Sequence, residues 1–204
     1  GMVMSTTIDS QKITDVSACV IAGGKGSRFG GDKLMHVYRD KPLILHVADI
    51  LQKNFDAVCI IADDAARFAH LPFPCYADIV KNIGPLAGIL TALHYSHVSR
   101  IFAVAGDMPA LNEQLIRYII ATSKDFDVTV PIVGNEIEPL HAVYSKQCES
   151  AIRRAIERGE RSIRSFFRDV RVRHITDKEI RRFADPKKAF FNVNFREDVE
   201  QCEK

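Results

Sequence analysis

Residues 20–33 read VIAGGKGSRFGGDK, an apolar run that opens into a loop holding five glycines, two lysines, an arginine and an aspartate. An open α/β sheet presents this kind of passage at the carboxyl end of its first strand, where the ligands of such folds collect. Glycine amides have no side chain beside them and can approach phosphate oxygens closely, while Arg28 and Lys33 supply two cations. Two familiar phosphate motifs each miss by one residue. The dinucleotide pattern G-x-G-x-x-G fits Gly24 and Gly26 and then meets Phe29, and P-loop spacing from Gly26 to Gly31 meets Asp32 where lysine is required. What remains is a phosphate-holding loop of another kind, or a glycine-rich turn with ordinary surface charges.

Outward from that loop, apolar runs rich in β-branched residues recur at 16–23, 57–62 and 101–106, with shorter ones at 73–77 and 128–133. Continuous rather than alternating hydrophobicity marks strands buried on both faces. Helical patterns lie between them. The stretch 42–54 opens at Pro42 and gathers Leu43, Val47, Ile50 and Leu51 on one side, 85–98 opens at Pro85, and 112–123 takes Asn112 as its N-cap. Strands alternating with helices predict right-handed parallel crossovers, hence an α/β three-layer sandwich, Rossmann-like, with a mostly parallel sheet. Beyond residue 131 the sequence predicts a Gly-Asn turn at 134–135, helices near 145–158 and 162–168 with Gly159 as the C-cap between them, and strands at 170–175 and 189–194. The arginine-rich stretch 149–169 reads as a solvated helix pair rather than a nucleic-acid patch.

The 204 residues carry 28 Lys+Arg against 26 Asp+Glu, a formal net charge of +2, which suits a modest cationic site for a small anion better than a nucleic-acid surface. No apolar run approaches the ~18 residues of a membrane span. The polar opening GMVMSTTIDSQKITD lacks the apolar core of a signal peptide, so residues 1–15 are expected to be a disordered or tag-derived segment ahead of a single domain at 16–204. Cys19, Cys59, Cys75, Cys148 and Cys202 are odd in number and form no C-x-x-C pair, which predicts reduced thiols in a cytoplasmic protein. Cys19 and Cys59, inside strand runs, are expected to serve as small buried hydrophobes.

The segment from Ala22 to Lys33, A-G-G-x-x-S-R-x-G-x-D-K, resembles the signature of nucleotidyltransferases that join an NTP to a phosphorylated acceptor. Among these it is most similar to the molybdenum cofactor guanylyltransferases, which make the guanine dinucleotide form of the cofactor from GTP and molybdopterin. NIGPLAGI at 82–89 matches the family's G-P-L-A-G segment beside the purine, and Asp78 stands where the family has a nucleotide-contacting aspartate. AVAGDMPAL at 103–111 sets Asp107 beyond a strand end, in the D-x-P setting that in the family holds Mg²⁺ against the NTP phosphates. Alone, Asp107 would read as a helix-start residue and Asp78 as a loop carboxylate. IEPLHAVYS at 137–145 matches an acceptor-side P-L-x-A-x-Y segment, with Glu138 where glutamine is commoner. FFNVNFRED at 190–198 resembles an F-x-N-x-N-T-P-E-D tail, with Phe195-Arg196 in place of Thr-Pro. Ile61-Ala62-Asp63-Asp64 lacks the asparagine that the family often carries after its second strand.

The resemblance implies a single nucleotidyltransferase domain that binds the nucleotide through Ile21, Ala22, Gly23, Gly24, Lys33, Asp78, Gly84, Pro85, Leu86 and Asp107. It implies an acceptor side at Arg28, His141, Asn192 and Asn194, and a catalytic set of Arg28, Lys33 and Asp107, with Mg²⁺ on Asp107. The implied substrates are GTP and molybdopterin. Transient contact with molybdenum-inserting and molybdoenzyme maturation proteins is implied as well, and neither nucleic acid nor membrane is expected as a partner. Two alternatives stay open: a CTP-dependent cytidylyltransferase acting on molybdopterin or another phosphorylated acceptor, and a non-catalytic nucleotide-sensing protein of the same fold.

Overall fold

The structure, a computed structural model, describes residues 11–23 and 32–195. At its centre is β1 (Val16–Gly23), buried from Val16 to Ala22. Alternate residues of a strand point to opposite faces. Val16, Ala18, Val20 and Ala22 accordingly join one apolar core and Cys19 and Ile21 the other. A small hairpin of β2 (Val37–Tyr38) and β3 (Lys41–Pro42) precedes α1 (Leu43–Asn54), β4 (Val58–Ala62) and β5 (Cys75–Ala77). Next come α2 (Pro85–Tyr95), β6 (Arg100–Ala105), α3 (Glu113–Thr122), β7 (Val128–Val133), β8 (Glu136–Ile137) and β9 (His141–Ser145). The chain continues through α4 (Cys148–Glu157), a 3-10 helix at Ile163–Asp169, β10 (Val172–Ile175), α5 (Asp177–Arg181) and α6 (Pro186–Ala189).

The main sheet has the order β5-β4-β1-β6-β9-β7-β10, with β8 paired to β7. Only β8 and β9 run against the rest. Helices α1 and α3 pack into the core on one face, and α2 and α4 into the core on the other, giving the expected three-layer sandwich. From β1 the chain winds outward through α1 to β4 and β5, then returns through α2 to β6 on the opposite side of β1. That reversal leaves a crevice between the carboxyl ends of β1 and β6, the place where open α/β sheets hold their ligands.

Local signals located most helix ends. The Asn112 side chain accepts from the Leu115 amide at 2.9 Å, as an N-cap should. Gly159, at φ +83°, ends α4 in a Schellman motif: its N–H reaches the Ile156 carbonyl at 2.9 Å, and the Glu160 N–H reaches Ala155 at 3.0 Å. The strand expected at 189–194 is not there. Asp185 caps α6 through the Lys187 amide at 3.1 Å, and the Val193 N–H bonds the distant Asp107 carbonyl at 3.0 Å. The apolar alternation there serves to bury Phe190, Val193 and Phe195 without a ladder. In turn HAVYS, expected only as an acceptor-side segment, is β9, inserted between β6 and β7. Packed structure also begins before residue 16, because Ile13 exchanges backbone bonds with Asn54 and Asp56 at 2.7 and 2.9 Å, and Asp15 meets Arg100 at 2.8 Å.

Candidate active site

At its carboxyl end β1 breaks register with β4: Ile21 pairs with Ile61 and Gly23 with Ala62, so Ala22 is bulged out and Gly23 takes φ +65°. A bulge of this kind re-aims the backbone at a site. Across the crevice, β6 runs into Gly106, where an added Cβ would stand 2.9 Å from Leu34 Cδ1 and 3.3 Å from Val20 Cγ1. The close passage brings Asp107 and Lys33 together beside Gly23. They border a cavity of about 570 Å³, lined also by Ile21, Ala22, Asp32, Leu34, Pro85, Ala105, Met108, Glu138, Pro139, Leu140, Ile163 and Asn192. That volume suits a nucleotide-sized ligand.

Lys33 Nζ donates to Asp107 Oδ2 at 2.8 Å, and their side chains are 30% and 21% exposed. Asp32, just before, caps the 3-10 turn Lys33–Met35 by accepting from the Leu34 amide at 3.1 Å. A cation that the sequence reading passed over anchors this arrangement. Arg67 donates to both Asp32 oxygens, from Nε at 2.8 Å and from the outer guanidinium at 2.9 Å, while its other nitrogen bonds Asp63 at 2.8 Å and the Gly23 carbonyl at 2.5 Å. Its plane lies over Phe68, 4.8 Å from the ring centre. Burial would raise the Asp63 carboxyl, but the hydrogen bond and charge of Arg67 carry it below the ordinary value. Asp63 to Arg67 is an i, i+4 pair, the one trace of this network in local sequence.

The expected site residues divide as follows. Ile21, Ala22, Gly23, Lys33, Pro85, Asp107 and Asn192 line the cavity, whereas Asp78, Gly84, Leu86, His141 and Asn194 lie off its wall. Gly24 and Arg28 fall outside the described residues. Gly84 opens α2 at φ +94° with Pro85 at the first helical position, and Leu86 is fully buried behind it. Asp78 follows β5, its amide bonded to the Ala62 carbonyl at 2.8 Å. Its Oδ1 is buried with no hydrogen-bond partner among the described residues, and burial lifts the carboxyl to about 6. Asn192 and Asn194 are exposed on either side of buried Val193.

His141, in a segment that the resemblance places on the acceptor side, lies in the core. It pairs with Val104 inside the sheet and is wholly buried, with Phe102 and Phe190 edge-on at 5.1 and 4.9 Å and neither ring nitrogen bonded to a described residue. Burial pushes its pKa down to about 4, so it is a neutral core residue rather than an acceptor contact. Glu138 does reach the cavity; burial, then Glu136, holds its carboxyl above the usual range.

A divalent cation fits this donor set in one particular way. No cluster of three or more His, Cys, Asp or Glu side chains suited to a metal occurs among the described residues; of the carboxylates that line the cavity there, Asp32 is engaged by Arg67, and Asp107 and Glu138 are the others. Mg²⁺ binds readily through one or two carboxylates plus substrate phosphates, and such a site needs no cage of protein ligands.

The sequence family of the MobA-like NTP transferase domain matches residues 18–176. A "probable molybdenum cofactor guanylyltransferase" of Pelotomaculum thermopropionicum is 33% identical over 180 residues, covering 88% of each chain. A "molybdenum cofactor guanylyltransferase" of Syntrophotalea carbinolica is 29% identical over 187 residues, covering 91% of this chain and 89% of its own. The crystal structure of molybdopterin-guanine dinucleotide biosynthesis protein A from Archaeoglobus fulgidus superposes with a TM-score of 0.79 at 24% identity, over 92% of this chain and 97% of that one, a likeness of fold.

Proposed function

The chain belongs to the MobA-like NTP transferase family and is a nucleotidyltransferase, and from that premise we propose that it transfers GMP from GTP to the phosphate of molybdopterin, releasing pyrophosphate. The observation that carries the reading is the meeting of Lys33 and Asp107 beside the left-handed Gly23, at the mouth of the crevice. In the proposed reaction an acceptor phosphate oxygen attacks the α-phosphorus in line, the bond to the β-phosphate oxygen breaks, and pyrophosphate takes the electron pair. The protein's contribution is position and charge. Amides at residues 21–23 face the phosphates, the Lys33 ammonium stabilises the growing charge, and the entry to α2 at Gly84-Pro85 borders the base. Asn192 and Glu138 form the acceptor side, and Arg28 is assigned to the leaving phosphates or the acceptor. Asp107 is the residue that would hold Mg²⁺, and a bound Mg²⁺ would supply charge neutralisation to the phosphates.

Asp78 is assigned to the nucleotide on its resemblance to the family position, and it lies off the cavity wall. A cytoplasmic setting and transient hand-over to molybdenum-inserting and molybdoenzyme maturation proteins complete the reading. Among the described residues no helix is long and apolar enough to cross a membrane.

Pyrophosphate release is the decisive measurement. With molybdopterin and Mg²⁺ present, GTP is expected to support release and CTP not to. Lys33→Ala and Asp107→Ala are each expected to fold and to lose about a hundredfold in turnover, the usual effect of removing a preorganised charge contact. Near-normal turnover in either variant would refute its role, and release with CTP in place of GTP would make the chain a cytidylyltransferase.

A further inference from the structure

Burying a guanidinium costs several kcal/mol of hydration unless its hydrogen bonds and countercharges are well made, so a buried arginine marks a position where an apolar side chain would not serve. The Arg67 side chain is 7% exposed, and all three of its nitrogens are engaged. Its partners share one property. Gly23 is where the chain enters the glycine-rich loop, Asp32 is where it leaves, and Asp63 is at the exit of the neighbouring strand β4. One rigid fork therefore fixes the separation of the two loop ends. It also fixes the turn that carries Lys33, because Asp32 Oδ1 caps that turn. Electrostatics add a second requirement. Asp32 lines the cavity and Asp63 shares the same guanidinium behind it, so without that cation two carboxylates would be left to repel a triphosphate.

We infer that Arg67 is a positioning residue for the triphosphate grip: it holds Gly23 and Asp32 at the spacing that aims the strand-end amide and Lys33 at the phosphates, and it offsets the Asp32 and Asp63 charges that would otherwise oppose nucleotide binding. The inference rests on the proposed function, in which the Gly23 strand end and Lys33 hold the triphosphate. Lysine cannot replace the fork, since an ammonium is a point charge that cannot bond both Asp32 oxygens and the Gly23 carbonyl in fixed geometry.

The test measures binding of the four ribonucleoside triphosphates with Mg²⁺ by titration calorimetry, together with steady-state kinetics, on the wild type, Arg67→Met, Arg67→Lys, Asp63→Asn and the double variant Arg67→Met/Asp63→Asn. Arg67→Met is expected to weaken the bound nucleotide by at least about tenfold, the scale of a lost charged hydrogen bond. Its KM for that nucleotide should rise while KM for the acceptor stays within about twofold, a split that general loss of structure would not produce. Arg67→Lys should fall between Arg67→Met and wild type. Removing the unmatched carboxylate should make the double variant bind more tightly than Arg67→Met alone, and Asp63→Asn alone should bind at least as tightly as wild type.

Unchanged affinity in Arg67→Met, or a double variant weaker than Arg67→Met, overturns the inference. Should Arg67→Met fail to fold, Arg67→Lys and Asp63→Asn decide it: wild-type affinity in the first or a tenfold loss in the second is fatal. Failure of the functional reading shows differently, as a wild type that prefers CTP or binds without releasing pyrophosphate, and the Arg67 comparison is then read on the nucleotide that binds. A wild type that binds no triphosphate overturns both.

Discussion

Asp78 and His141 are both titratable groups perturbed by burial, and they act on acid stability with opposite signs. The Asp78 carboxyl is lifted to about 6 by burial, with Lys81 pulling it down and Asp63 pushing it up by lesser amounts. Its folded pKa lies above the unfolded value, so between about pH 4 and 6 the native state holds the extra proton; stability falls as pH rises through that window, and the penalty is complete above it. For His141 the folded value of about 4 lies below the unfolded 6.5, so here the unfolded chain holds more protons and stability falls as pH drops through that window. The two slopes offset each other where the windows overlap. Asp78→Asn is therefore expected to raise the melting temperature of the nucleotide-free protein at pH 7.5, with the gain vanishing towards pH 4. His141→Leu should remove the acid-side loss and leave a stability that declines from pH 4 to 6. A pH-independent offset in either variant, seen by thermal unfolding across pH 4–7.5, would contradict burial as the cause.

The entry to α2 turns on Gly84, whose φ of +94° and ψ of −154° belong to a region that glycine alone occupies comfortably. An added Cβ there would meet nothing within 4 Å, so any cost of substitution comes from the backbone and not from packing. Gly84→Ala is expected to destabilise by about 1–3 kcal/mol, read as a midpoint shift in urea at unchanged slope. Gly88, one turn into the helix, poses the reverse case: an added Cβ would stand 2.8 Å from Ile21 Cγ2, so the helix sits hard against β1 and an alanine there must displace a side chain that lines the cavity. Such elements were legible in sequence to the extent that their determinants are local. Asn112, Gly159 and the Gly84-Pro85 pair announced helix ends because caps act within a few residues. The segment after residue 189 misled because apolar alternation reports burial, and whether a ladder forms depends on a neighbouring strand far away in sequence. The burial of His141 was not legible for a related reason, since a family-like segment gives no sign that a strand of the sheet passes through it. Arg67 was missed because it bonds Asp32 and Gly23, which are 35 and 44 residues away.

Across the whole molecule, the cavity wall draws on β1, the turn after the glycine loop, the start of α2, the end of β6, the segment before β9, the 3-10 helix and the tail at Asn192. Both cores reach it, since Ile21 and Ile163 belong to one and Ala22, Leu34 and Met108 to the other. The tail is tied in through the Val193 N–H on the Asp107 carbonyl, so the residue assigned to the metal is also a backbone link between the sheet and the chain's last described segment. A ligand in that cavity would touch several of these parts at once, and its binding energy should appear as stability of the entire fold. At a hundred times its dissociation constant a ligand adds about 2.7 kcal/mol, which for a chain of this size corresponds to a melting-temperature rise of roughly 5–11 °C. GTP with Mg²⁺ is expected to give a rise of that order in a single transition, whether followed by tyrosine fluorescence or by far-UV circular dichroism. Lys33→Ala and Asp107→Ala should reduce the rise at the same nucleotide concentration, and chelation of the metal should reduce it in the wild type but hardly at all in Asp107→Ala. If chelation lowered it equally in wild type and Asp107→Ala, the metal would be bound elsewhere and the assignment of Asp107 would fall, while Lys33 and the strand-end amide would remain in place as the phosphate grip.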